Sequence, residues 1–434
     1  MESTLEHARP ATQQKFFYGW YIVGVGFLAN VASAFSLAST MSVFLKPLTA
    51  DLGVSRGVFS LLRSGEGLIA AFLAPVIGTL MDRYGGRWLM VFGAIIAGLG
   101  YIVLSQVDNF WQFSAVRLSL ITVGDSFMGY IVINLAIAHW FSRKRGRALA
   151  LTSMGIGFAK VGMPVLAASL IVWLGWRQTW LVFGVITFVL VVGPALLIVR
   201  RSPEDMGLKP DGALSAGLTD DSSRSTKNSS MARPPSQDDV EWTRNEALRT
   251  QAFWLLVITF GISSIGVTGL NLHVFPYVND LGHPPVVAAT VMSVIASMQL
   301  ASPIAWGVLA ERIDARFAAT LRFVVQGIGL ALAIMTDNLF CLYAGFLLYG
   351  IGLGGNMVLP DILWANYFGR RSLGKVRGLG LLISQAVAAM GPPFFGFLFD
   401  LTGDYDLSFV LFGVALMTSA FLSLMLRPPL KRSA

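Results

Sequence analysis

Cysteine is the scarcest residue in this chain. Cys341 stands alone, which excludes an internal disulfide framework and any cysteine-rich metal centre. Histidine is nearly as scarce: His7, His139, His273 and His283 are scattered and never take an HExxH-type spacing, so zinc chemistry is not expected. Charge is the third shortage. Only 13% of the 434 residues are charged, against roughly a quarter in a soluble domain. Such a chain cannot cover itself with polar groups, and with 55% hydrophobic residues it must face an apolar solvent, the lipid bilayer. The glycine-rich stretch 350–355 lacks the G-x-x-x-x-G-K-[ST] order of a phosphate cradle. No nucleophile–base constellation stands out either. An ATP motor, an enzyme and a bound cofactor are therefore not expected, and any work must draw on a gradient.

What is there is apolar length. Runs of about 20 apolar residues, enough to cross a bilayer, fall near 17–44, 57–81, 88–107, 111–139, 148–173 and 176–199. A second set falls near 252–278, 285–309, 317–336, 339–366, 377–399 and 407–426. Residues 1–15 are polar, and the first run is too long for a signal h-region, so no cleavable signal peptide is expected. Between the two sets, 200–248 is rich in Ser, Asp, Pro and charge and reads as a partly disordered linker. The expected organisation is a tail over 1–16, a bundle over 17–199, the linker 200–248, a second bundle over 249–426 and a tail over 427–434.

The net charge of +8 is not a nucleic-acid signal, because its cations are sorted by loop. Arg83, Arg87, Arg143, Lys144, Arg312, Arg316, Arg370 and Arg371 fall in even-numbered loops, whereas the odd-numbered loops hold only Lys46, Arg56 and Arg177. By the positive-inside rule both termini and the linker are cytoplasmic, and the expected location is the plasma membrane, the inner membrane in a bacterium. Trp20, Trp111 and Trp176 fit interfacial belts.

The two sets repeat. Pro47 and Asp51-Leu52-Gly53 recur 229 residues later as Pro276 and Asp280-Leu281-Gly282, and Pro164 recurs as Pro392. The chain is thus expected to be an all-α membrane protein, twelve transmembrane helices in two pseudo-symmetric six-helix bundles, with a site near the midplane.

After the second run the sequence reads Gly78-Thr-Leu-Met-Asp82-Arg83-Tyr-Gly85-Gly86-Arg87. This resembles the G-x-x-x-D-R-x-G-G-R signature of the major facilitator superfamily. The resemblance implies alternating access, with Gly78, Asp82, Arg83 and Arg87 forming a latch on the cytoplasmic side. The second copy, ending at Glu311, Arg312 and Arg316, departs from it: Glu311 replaces the acid and Asp314 the first loop glycine. Phe17-Tyr18-Gly19-Trp20, Trp140-Phe141, Ser202-Pro203-Glu204-Asp205 and His273-Val-Phe-Pro276-Tyr277 further resemble the monocarboxylate and oxalate–formate antiporter-like branch. That branch implies a carboxylate substrate. Its usual cation in the eighth or eleventh span is missing, since neither 285–309 nor 378–399 holds Arg or Lys.

Charges inside spans are costly and so mark cavities or partners. Arg63 and Glu66 are three apart and share a helix face. Arg117 and Asp125 lie in the fourth run and Lys160 in the fifth. Two readings stand for Asp125 and Lys160: an ion pair tying helices together, or cavity groups. Arg117 either snorkels to the interface or serves the cavity. The cations Arg63, Arg117 and Lys160, with Asn271 and His273, are candidate substrate ligands, and Glu66, Asp125 and His273 candidate proton carriers. Asp361, after Pro360, is expected at an inner gate or a helix cap. The expected partners are a small anionic solute, a proton and lipid, with the monomer as the working unit. Proton-driven efflux of amphipathic compounds or drugs is the alternative. A receptor that binds without transporting is disfavoured because the linker carries no recognisable signalling domain.

Overall fold

The computed structural model describes residues 17–141, 144–206, 208, 242–335, 338–369 and 373–429; the side chains of Asp82 and of 373–375 are outside it. Both tails (1–16 and 430–434) and most of the expected linker also lie outside the described residues. Its described ends are built, not loose: Glu204–Met206 forms a 3-10 turn, and Arg244–Leu248 a short helix. Thr243 and Glu246 close a reciprocal cap on that helix.

Among the described residues, eleven helical stretches are long and apolar enough to cross a membrane. We number them as spans: span 1 Gly19–Leu52, span 2 Arg56–Met81, span 3 Arg83–Leu104 and span 4 Phe110–Trp140. In the second half they are span 7 Gln251–Asp280, span 8 Pro285–Arg312, span 9 Ala315–Ile334, span 10 Leu339–Phe368, span 11 Val376–Thr402 and span 12 Asp406–Leu424. The remaining stretch, Arg145–Ile198, is 54 residues long. At 1.5 Å per residue it would run about 80 Å, far beyond a hydrocarbon core of about 30 Å. It is two passes. Gly175, at φ 80° and ψ 164°, turns the chain between span 5 (145–174) and span 6 (176–198). The described residues thus hold twelve passes, as the apolar runs predict.

Gly85 performs the same turn between spans 2 and 3, at φ 76° and ψ 164°, a conformation that a Cβ disfavours. This gives the first loop glycine of the signature its physical reason. In the second copy Asp314 stands at that place with φ −56° and ψ 131°, and its carboxylate caps span 9 by accepting from the Arg316 N–H. The degraded copy therefore turns by a different device.

The membrane face is legible in exposed bulk: Trp173, Phe72 and Trp111 turn about four-fifths of their surface outward. Trp176 is a correction to the belt reading. It is buried, donates to Asp51 and lies beneath the Arg177 guanidinium.

Candidate functional site

The spans around the centre are interrupted. Span 1 is helical over Gly19–Ser33, passes through the turn Ala34–Ser36, and restarts at Ala38 after an extended Leu37. Span 4 holds a π-turn over Arg117–Ile121 and breaks at Gly129, with ψ −161°. Such interruptions need polar partners in a membrane and gather where a transporter binds its cargo. Here the break in span 1 leaves the Ser36 carbonyl to accept from Arg63, and in span 4 the Arg117 carbonyl accepts from both the backbone N–H and the hydroxyl of Thr122.

Two cavities lie at these breaks. The first, about 210 Å³, is lined by Ser36, Arg63, Glu66, Arg117, Thr122 and Asp125. The second, about 140 Å³, is lined by Ser39, Arg63, Lys160, Asn271, Met292 and Gln299, so it lies between the two halves. Arg63 and Leu37 line both.

Glu66 organises the first cavity. Its Oε1 accepts from Arg117 Nε at 2.7 Å and Nη2 at 2.6 Å, and its Oε2 bonds Arg63. Arg117 is fully buried, so the snorkelling reading is overturned; its Nη1 lacks a hydrogen-bond partner. The Trp180 ring faces the Arg117 guanidinium at 5.8 Å, within cation–π range.

Asp125 does not pair with Lys160. Its Oδ2 accepts from Tyr101 Oη at 3.5 Å, a long contact, and its Oδ1 has no partner. Tyr101 in turn shares a 2.6 Å hydrogen bond with Ser36. Lys160 reaches the second cavity and, among the described residues, enters no ion pair. Asn271 lines the same space.

His273 lies elsewhere. It is fully buried, lines neither cavity, and sits in the seam between the halves. Its Nε2 is 3.1 Å from the Pro392 carbonyl and 3.1 Å from Ser60 Oγ, and its Nδ1 is 2.9 Å from Tyr405 Oη. A carbonyl only accepts, so Nε2 carries the hydrogen and Nδ1 accepts from the Tyr405 hydroxyl. The neutral ring is thus fully partnered. Burial raises the Tyr405 pKa, which keeps its hydroxyl a donor.

That histidine belongs to a clamp at the end of the bundle carrying the odd-numbered loops. Arg56 Nη1 bonds Asp280 at 2.6 Å and Tyr405 Oη at 2.9 Å, and Lys46 bonds Asp280 at 2.8 Å and Asn279 at 2.6 Å. Asp400 accepts from the backbone N–H of Arg56 and of Gly57, at 3.0 and 2.9 Å. All of these contacts cross between the halves. Among the described residues, no ion pair joins the halves at the opposite end.

The sequence profile of the Major Facilitator Superfamily matches residues 26–329 and 291–434. The chain belongs to the major facilitator superfamily. This member resembles monocarboxylate transporter 13 of Bos taurus, 24% identical over 413 residues, 93% of this chain and 88% of the relative. Human monocarboxylate transporter 2 is 22% identical over 417 residues, 93% and 84% of the two chains. An uncharacterized MFS-type transporter of Escherichia coli (strain K12), YhjX, is 23% identical over 361 residues, 81% and 82%. Among solved structures, an inward-facing, unoccupied bacterial homolog of the human lysosomal transporter Spinster superposes with TM-score 0.68 at 15% identity, covering 94% and 95% of the chains. The nucleoside transporter NupG superposes with TM-score 0.69 at 12% identity, covering 94% and 99%. The likeness to these structures establishes the fold, and the family establishes a multi-pass membrane transporter rather than an enzyme.

The residues that the signature resemblance assigns to a latch lie around the even-numbered loops. The Asp82 side chain lies outside the described residues. Arg83 is exposed beside the Tyr84 ring, and Arg87 lies beside Trp88 with its Nε unpartnered. A Cβ on Gly78 would meet nothing within 4 Å. Glu311 and Arg312 are exposed at the end of span 8. Asp361 opens the helix Leu359–Phe368 and bonds Arg377 of span 11.

One group escaped the sequence reading altogether. Arg322 in span 9 is fully buried, yet its position six residues beyond Arg316 places it among loop cations in a hydropathy scan. Counting 1.5 Å per residue from the span start sets it roughly 10 Å inside the helix, which is the signal that would have found it.

Proposed function

We propose that this transporter is a secondary carrier of a small organic anion, a mono- or hydroxy-carboxylate, moved by alternating access and coupled to protons. The observation that carries the reading is the excess of cations at the two joined cavities. Glu66 is shared by Arg63 and Arg117, and among the described residues Lys160 has no carboxylate of its own. With Asp125 ionised one net positive charge remains, and with Asp125 protonated two. A proton on Asp125 therefore strengthens the field that attracts an anion, which is the electrostatic logic of symport. Arg63, Arg117, Lys160 and Asn271 are the substrate ligands in this reading, and Asp125 is the proton carrier, with Glu66 holding the arginines. The named monocarboxylate transporters among its relatives support the substrate class.

The cation sorting of the loops supports cytoplasmic termini and linker, and a plasma-membrane location. In that orientation the Arg56–Asp280 clamp closes the outer side, and the conformation is inward-facing. The exposed Arg83, Glu311 and Arg312 fit a disengaged inner latch in this state. The cavities lie within one chain, which supports a working monomer.

The test is uptake of a labelled carboxylate panel into proteoliposomes under an imposed inside-alkaline gradient. Accumulation of one acid, abolished when the gradient collapses, is expected. Absence of acid uptake combined with gradient-driven movement of lipophilic cations would replace this reading with efflux of amphipathic compounds.

A further inference from the structure

Arg322 lies in the second half, away from both cavities, and the proposed carboxylate site does not use it. None of its nitrogens Nε, Nη1 and Nη2 has a hydrogen-bond partner, and the side chain is fully buried. One helical turn on, both polar atoms of the Gln326 amide are likewise unpartnered and buried. The buried Tyr349 Oη of span 10 makes no hydrogen bond of good geometry, although Tyr349 lies beside Gln326 and within the field of Arg322. Three neighbouring polar side chains are thus left open in one place. Native structures seldom tolerate this without an ion or a water.

Among the described residues, no carboxylate pairs with Arg322. The Phe323 and Phe260 rings face the guanidinium at 3.9 and 5.6 Å. Cation–π contact compensates only part of the lost hydration of a buried guanidinium. Asp361, the acid in the first turn of the neighbouring helix, is engaged by Arg377 instead. The backbone has made room: a Cβ on Gly355 would fall 2.7 Å from Arg322 Cδ, and one on Gly352 would fall 2.6 Å from Gln326 Cβ. Gly355 opens the break in span 10, a 3-10 turn over Gly355–Met357, after which a ten-residue helix restarts at Leu359. A helix start favours negative charge, and Leu359 follows by four residues the Gly355 against which the Arg322 stem packs. At the 229-residue repeat offset the first half has Gly93 where Arg322 stands, so the charge belongs to the second half alone.

We propose that Arg322, Gln326 and Tyr349 form a second anion site inside the C-terminal half, for one small monovalent anion. The guanidinium forks onto it, and the amide N–H and phenol O–H complete the shell. The bound anion is a halide or a small carboxylate, chemistries that share these acceptor demands. It neutralises a charge which otherwise sits alone against the break in span 10.

The experiment is thermal unfolding of the purified full-length protein at constant ionic strength, with a bulky buffer sulfonate (HEPES) replaced stepwise by bromide or by acetate. A ligand that binds the folded state raises the midpoint. The wild type is expected to gain at least ~2 °C with one of the two anions, and Arg322→Met to gain none with bromide and, with acetate, only the part that the cavity site contributes. Arg117→Gln, which disables the proposed carboxylate site, is expected to keep the gain, so failure there and failure here are separable. A response to bromide alone marks an inorganic ion, and a response to acetate alone a carboxylate; either supports the site. Should Arg322→Met fail to fold, Gln326→Leu retains the guanidinium and is expected to weaken the apparent affinity at least ~5-fold. No response in the wild type, or an undiminished one in Arg322→Met or Gln326→Leu, overturns the proposal.

Discussion

Glu66 of span 2 holds Arg117 of span 4 through Oε1, at 2.7 Å to Nε, and Arg63 of its own helix through Oε2. One carboxylate thus fixes two arginines at the cavity wall, with Arg117 fully buried and Glu66 4% exposed. Breaking such a buried pair from one side strands the other charge, at a cost of about 3–5 kcal/mol. Glu66→Gln and Arg117→Met should each lower the unfolding midpoint strongly. The double substitution should cost clearly less than the sum, which a double-mutant cycle measures. Additive losses would mean that the two side chains act independently.

Lys160 presents the opposite case. Among the described residues it has no carboxylate to strand, so Lys160→Met should leave the unfolding midpoint nearly unchanged or raise it. Its ammonium acts only on what enters the cavity. Uptake kinetics should show KM for the anion rising about tenfold, the scale of one charge-assisted contact, with little loss of expression. An unchanged KM would remove Lys160 from the substrate ligands.

The clamp on the odd-loop end should set the balance between the two access states. Asp280→Asn removes the shared acceptor of Arg56 and Lys46. Partly exposed pairs contribute up to about 1 kcal/mol each, so the opposite-facing state should gain several-fold in population. The readout is alkylation of Ser39→Cys, on a Cys341→Ser background, by an impermeant reagent from that side. Labelling several-fold faster is expected; an unchanged rate would show that backbone contacts such as those of Asp400 carry the closure.

Much of this was legible in the sequence for a physical reason. Crossing lipid demands runs of apolar residues, and loop cations sort by side, so spans and repeats announce themselves. The shared face of Arg63 and Glu66 follows from helical spacing alone. The partners of Asp125 and Lys160 did not follow, because pairing depends on rotation about each helix axis, which the π-turn over Arg117–Ile121 and the break at Gly129 reset in span 4. His273 was equally opaque. Its residue type in an apolar run made it a candidate ligand and proton carrier, whereas its helix face turns it to Ser60, Pro392 and Tyr405. Arg322 was hidden by its nearness to loop arginines.

The contrast between Asp125 and His273 gives the sharpest test of proton coupling. Asp125 faces the cavity with Oδ1 unpartnered, so a proton there changes the field felt by an anion. His273 is a neutral, fully bonded ring in the seam, remote from both cavity linings. Protonation of Asp125 adds positive field, so anion affinity should be greatest at low pH and fall as pH rises through its titration. Asp125→Asn mimics the protonated state: its affinity should be high and flat with pH, gradient-driven accumulation should vanish, and exchange of anion for anion should persist. His273→Gln should keep the pH profile and the accumulation while lowering the unfolding midpoint, because its loss leaves Tyr405 and the Pro392 carbonyl without their partner. Transport assays across pH for the two variants decide the matter. A His273→Gln variant that loses coupling, beside an Asp125→Asn variant that keeps it, would move the proton path from the cavity to the seam.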